Sequence, residues 1–209
     1  MSTDVTRDFA FGLPKAELHL HLEGTLEPDL KLALARKNGV NIGQSTVEEV
    51  QATYQFNDLT SFLAVYYPAM DVLQDEDDFH DLAAAYFERA RANGVVRAEC
   101  FFDPQAHTSR GIAIETVIRG YHRAVVEARE AGLSADLILC FLRDMSAQSA
   151  LETLQAALPY KDMFIGVGLD SDERDNPPTK FAEVFALARE AGLHVTMHCD
   201  IDQVGSIDN

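Results

Sequence analysis

Gly94-Val95-Val96-Arg97-Ala98-Glu99-Cys100-Phe101-Phe102-Asp103-Pro104 is the stretch on which the fold turns. A segment of helical period, Glu76–Asn93, runs into Gly94, a residue suited to the left-handed position that closes a helix. The chain then enters a short, nearly continuous apolar run, Val95–Phe102, and leaves it at Asp103-Pro104. Runs of this length and composition read as strands buried on both faces, the signature of a parallel sheet. Four more share that character: Ala16–Leu22, Asp136–Leu142, Met163–Leu169 and Leu193–Cys199. Helical-period segments separate them. Asp58–Leu73 and Glu76–Asn93 fill the first and longest interval, and Ile112–Ala131, Ala147–Leu158 and Thr179–Ala191 follow. The hexapeptide Ala128-Arg129-Glu130-Ala131-Gly132-Leu133 recurs at 188–193, each time as helix end, glycine stop and strand entry. Such alternation predicts a parallel α/β architecture, either doubly wound or a (β/α)8 barrel. No linker or low-complexity tract divides residues 1–209, which read as one domain.

Composition narrows the function. Of 209 residues 47% are hydrophobic and 24% charged, values of a folded chain rather than a disordered one. Seventeen Lys+Arg against 34 Asp+Glu leave a net charge of −17, which repels phosphate backbones and anionic lipid, so neither nucleic acid nor membrane is expected as a partner. Residues 1–10 lack the apolar core of a secretory signal, and no apolar run approaches a membrane span of roughly 20 residues. Three cysteines (Cys100, Cys140, Cys199) make no paired framework, so free thiols and a cytoplasmic location are expected. Self-association into a homo-oligomer is left open.

Polar residues gather at the strand ends. In Leu18-His19-Leu20-His21-Leu22, period-two alternation puts His19 and His21 on one face and the leucines on the other. Two imidazoles side by side in a buried strand are costly unless something binds them, and a divalent metal suits neutral imidazole. His198 closes the fifth strand; alone it reads as a structural hydrogen bonder, and together with His19 and His21 it is a candidate third ligand, because a catalytic zinc takes about three protein ligands and keeps one open position. Alternation turns Cys199 away from His198 and into the core. After the second strand, Phe101-Phe102-Asp103-Pro104-Gln105-Ala106-His107-Thr108-Ser109 follows two aromatics with a run of hydrogen-bonding groups, either a ligand loop or a capped turn. His80, His107, His122 and His194 have no such company, and His80 and His122 read as solvated helix histidines.

The phrase Leu13-Pro14-Lys15-Ala16-Glu17-Leu18-His19-Leu20-His21-Leu22-Glu23-Gly24-Thr25-Leu26 resembles the start of the adenosine/adenine deaminase family. Phe102–Gly111 is similar to its adenine deaminase branch, and Gly168-Leu169-Asp170-Ser171 with Asn176-Pro177-Pro178 looks like the fourth-strand region of that branch. The resemblance implies a (β/α)8 barrel and hydrolytic deamination of adenine, with adenosine or another aminopurine as the alternative substrate. A non-catalytic purine-binding homologue is the alternative of a different class. It implies zinc held by His19, His21 and His198. It also implies purine contacts from Asp170 and Ser171, from Phe102 and Asp103, and from His21 itself. Where the family places a proton-donating glutamate three residues after the third histidine, this chain has Ile201. The donor role therefore falls to Asp202 or Asp200, with Glu23 next. Five strands of the eight in a barrel are present, so the sequence is expected to be the N-terminal part of a longer polypeptide.

Overall fold

The computed structural model describes residues 3–199 together with Gly205. Its five strands form one parallel sheet: β1 (Lys15–His21), β2 (Val95–Phe102), β3 (Ser134–Leu142), β4 (Gly166–Asp170) and β5 (His194–Val195). They neighbour one another in chain order. A doubly wound sheet reverses its order at a switch point, and this one does not. Of the two architectures left open by the sequence, the barrel wall is the one formed, with five of its strands.

Helix α1 (Thr3–Gly12) precedes β1. The first crossover carries α2 (Pro28–Asn38), α3 (Val47–Gln51), α4 (Leu59–Ala69) and α5 (Glu76–Ala92). Then come α6 (Pro104–Thr108) and α7 (Ile114–Glu130) after β2, α8 (Ala147–Ala157) after β3, and α9 (Ala182–Glu190) after β4. Helix α2 lies outside the segments of helical period named above; Pro28 opens it and Gly39, at φ 65°, closes it in the left-handed conformation. Asp58 and Asp75 start α4 and α5 with capping boxes, accepting from the backbone N–H of Ser61 and Asp78. None of these helices is long and apolar enough to cross a membrane.

Burial on both faces holds for β3 and β4 but not for the edge strand β1, where Leu18 is 54% exposed. A register shift between Glu17 and Leu20 breaks the strict alternation there, so Leu18 does not join the core with Leu22. The expected fourth strand starts late because residues 158–163 close into a 3-10 turn. The fifth is short as a strand. Even so, Thr196 and His198 donate their N–H groups to the carbonyls of Val167 and Leu169 at 3.0 Å each, so the backbone still tracks β4 as far as His198.

The largest hydrophobic cluster lies on the sheet face covered by α5 and α7, with Phe79, Leu82, Ile118, Tyr121 and Val125 fully buried. The two helices meet closely at Gly120, where an added Cβ would stand 2.5 Å from the Glu76 carbonyl and 2.7 Å from the Phe79 Cβ. Overpacking of this kind costs about 1–3 kcal/mol. Because it presses on backbone here, we expect Gly120→Ala to fall at the upper end, beyond the roughly 1 kcal/mol of helix propensity that alanine gains. Thermal unfolding should show a lowered midpoint; an unchanged or raised one would contradict this packing.

Candidate metal centre

All five strands end on one rim, so whatever follows their last residues converges there. His19 and His21 reach it from β1, Asp103 follows β2, Arg143 follows β3, Asp170 ends β4, and His198 extends β5. The expected shared face of His19 and His21 is present, and both rings lie over Phe101, with centroids at 4.7 and 5.1 Å.

The three imidazoles meet nitrogen to nitrogen. His198 Nε2 stands 2.9 Å from His19 Nε2 and 3.0 Å from His21 Nε2. On its far side His21 Nδ1 faces Asp170 Oδ2 at 3.3 Å and Asp103 Oδ1 at 3.9 Å. With the Nδ1 proton directed at Asp170, it is Nε2 of His21 that faces the other two rings, and it presents a lone pair there once its own proton is given up. Three such nitrogens cannot satisfy one another by hydrogen bonding alone. A cation about 2.0–2.1 Å from each would satisfy all three, and it is the donor set a zinc-like ion takes.

The surroundings favour the neutral ligand form at two of the three rings and the protonated form at the third. Burial, then the neighbouring His21 and His19, lowers the pKa of His198 to about 4, so its ring stays neutral as a ligand must. Burial and His21 lower that of His19. For His21, burial also lowers the pKa, but the hydrogen bonds and charges of Asp103 and Asp170 together outweigh it and lift the value to about 10. Burial, followed by the charge of Asp170, raises Asp103 to about 7. Both carboxyl groups keep a buried Oδ1 without a hydrogen-bond partner.

These groups floor a cavity of about 350 Å³. Helix α4 roofs it with Leu59, Phe62, Leu63, Tyr66 and Tyr67, whose spacing puts them on one helical face. Two hydrogen bonds fasten this roof to the loop after β4: Tyr67 Oη donates to Ser171 Oγ at 2.8 Å, and Arg174 donates to Thr60 Oγ1 at 2.9 Å. Ser171 adopts φ 73°, an unfavourable conformation for a side-chain-bearing residue that is tolerated where surroundings hold it.

Of the residues expected to contact a purine, Asp103, Asp170, Ser171 and His21 all line this cavity. Phe102 does not. It is fully buried on the opposite sheet face, edge-on to Tyr121 at 5.6 Å, because one step along a strand reverses the side chain; Phe101 holds the inner position. Cys199 is half-buried rather than a core residue. Asp200 and Asp202 lie outside the described residues. His107, read as having no company, is fully buried against Glu23, and His80 is bridged between Asp81 and Glu127 at 3.0 and 2.9 Å. Glu23 Oε1 accepts from His107 Nε2 (3.2 Å), Tyr121 Oη (3.1 Å) and the Asp103 N–H (3.1 Å), which anchors the Asp103 loop. The roof aromatics were visible at i, i+4 and i+5 spacing, but nothing local distinguishes them from core residues.

The sequence profile described as adenosine deaminase matches residues 14–201. The chain belongs to the adenosine deaminase family. Among its relatives, an adenine deaminase of Geotalea uraniireducens is 56% identical over 187 residues, covering 89% of this chain and 53% of that protein. An uncharacterized deaminase of Schizosaccharomyces pombe is 53% identical over 202 residues, covering 96% and 59%. The crystal structure of an adenine deaminase from Arthrobacter aurescens has a TM-score of 0.91 at 49% identity, covering 93% of this chain and 60% of that one. A Burkholderia ambifaria amidohydrolase solved with bound Zn has a TM-score of 0.80 at 31% identity, covering 95% and 55%. The chain thus spans a little over half the length of these similar proteins.

Proposed function

We propose that the protein hydrolyses adenine to hypoxanthine and ammonia with the help of one divalent ion, zinc. The observation that carries this reading is the meeting of His19, His21 and His198 at the floor of an aromatic-roofed cavity. The adenine deaminases among its relatives, more than half identical to this chain, favour the free base as substrate. When bound, the ion supplies Lewis-acid activation of water for attack on the amine-bearing ring carbon.

The protein's own groups do the rest. His19, His21 and His198 would hold the ion, and Asp170 keeps the His21 ring oriented through Nδ1. Asp103 and Asp170, which both line the cavity, are suited to accept N–H bonds from an aminopurine. Tyr66 and Phe62 offer flat faces against which a heterocycle packs. Asp202 or Asp200 donates a proton to the ring nitrogen, which makes the adjacent carbon electrophilic. We place the protein in the cytoplasm, where its three cysteines, an odd number with no disulfide framework, would stay reduced.

Ammonia release tests the reading. In the complete polypeptide kcat/KM for adenine should exceed that for adenosine. A higher value for adenosine refutes the free-base assignment, and tight metal without ammonia from any aminopurine would mark a purine-binding homologue instead.

A further inference from the structure

Arg143 stands just beyond β3 with its side chain entirely buried. Its Nε donates to the backbone carbonyl of Asn176 at 2.9 Å, and its Nη1 donates to the backbone carbonyl of His198 at 2.9 Å. The buried carboxylate of Glu173 lies 3.8 Å from the same Nη1 and supplies a counter-charge. The backbone strengthens this junction, since the Arg143 N–H donates to the Asp170 carbonyl at 3.0 Å. From outside, Lys180 Nζ donates to the Arg143 carbonyl (2.9 Å) and to Asn176 Oδ1 (2.8 Å). One guanidinium therefore ties the end of β3, the loop after β4 and the end of β5.

Burying a guanidinium is expensive unless bonds and charge compensate it, and Nη2 is left without a hydrogen-bond partner. What the arrangement achieves lies at His198. That residue sits past the two-residue strand β5, at the sheet edge, and its N–H is held by the Leu169 carbonyl at 3.0 Å. Its carbonyl is held by Arg143. With the peptide planes on both sides of the α-carbon fixed, the direction of the Cα–Cβ bond is fixed as well, and the ring is aimed at the other two imidazoles.

We infer that Arg143 is a positioning residue for the metal centre, clamping the His198 backbone from its carbonyl side so that the third imidazole is pre-aimed. The inference rests on the metal reading above. Lysine cannot replace it, because one ammonium on a flexible stem does not reproduce a planar fork that reaches two carbonyls in different segments.

The test is metal affinity in the complete polypeptide, measured by competition with a chelator, together with the visible spectrum of the cobalt-loaded protein. Arg143→Lys should bind zinc about 10–100-fold more weakly, as changes to groups that orient metal ligands do. Its cobalt spectrum should shift, which a general loss of stability would not produce. Lys180→Met, a half-buried change that loosens the same junction, should weaken zinc in the same direction. Wild-type affinity and an unshifted spectrum in Arg143→Lys overturn the inference. If Arg143→Lys does not fold, unchanged affinity in Lys180→Met overturns it alone. A wild-type protein that binds neither ion would instead remove the metal reading itself.

Discussion

Replacing His19, His21 or His198 by alanine is expected to empty the centre of metal and to abolish ammonia release with it. His198 Nε2 lies within 3.0 Å of Nε2 of both His19 and His21, so each variant removes one of the three imidazole donors that meet there among the described residues. Catalytic zinc sites rely on about three protein ligands. Disturbing merely the groups that orient such ligands already costs about 10–100-fold in affinity, so loss of a ligand costs more. The metal-to-protein ratio after gel filtration should fall from near one to near zero in each variant. His107→Gln provides the contrast. That histidine is buried against Glu23 behind the sheet, so its replacement should lower the melting temperature while the metal stays. Unchanged stoichiometry in both His19→Ala and His21→Ala would sink the assignment.

The second large effect is expected at the aspartates after His198. Protonating the purine ring as water attacks needs an acid near the metal, and Asp200 and Asp202 are the carboxyl groups next in the chain. Asp202 follows His198 by four residues. The family's donor follows by three but has a longer side chain, so a shift of one residue with one methylene less can bring the carboxyl to a similar place. A carboxylic acid keeps its proton near neutral pH when buried in apolar surroundings or beside electron-rich atoms. Asp202→Asn, or Asp200→Asn if that is the donor, should lower kcat by about 10²–10⁴ while metal content is unchanged. If turnover survives both substitutions, the acid lies elsewhere. Glu23 is a poor substitute, since it is buried in the interior, bonded through Oε1 to His107, Tyr121 and the Asp103 N–H, and does not line the cavity.

Much of the fold could be read directly. The run at 95–102 forms β2 with the boundaries expected, because strand signals there are local: apolar composition, a glycine before, an Asp-Pro after. The fifth strand was harder to delimit, since its hydrogen-bonded length depends on the partner β4 rather than on its own composition. Helix α2 carries a weak periodic signal because its apolar and polar residues are poorly segregated, with Lys31 buried and Ala33 exposed, which leaves the proline and glycine at its ends as its markers. The roof helix α4 was found, but not its function. Phe62, Tyr66 and Tyr67 look like core residues by spacing, and only the cavity beneath them shows that they are not.

By itself the sequence determined the strand–helix alternation, the common face of His19 and His21, and the rim on which His198 stands. All three follow from backbone periods of about two and 3.6 residues, which a local window contains. Tertiary structure alone decided that His198 meets His21 across 177 positions of chain, that Phe101 rather than Phe102 lies beneath the rings, and that Arg143 holds the His198 carbonyl. It also chose the barrel wall over the doubly wound sheet. The reason is common to all of these. Strand order and the face each residue presents are set by which segments pair and by what packs behind them, and hydrogen bonding between distant strands leaves no mark in the periodicity of either one.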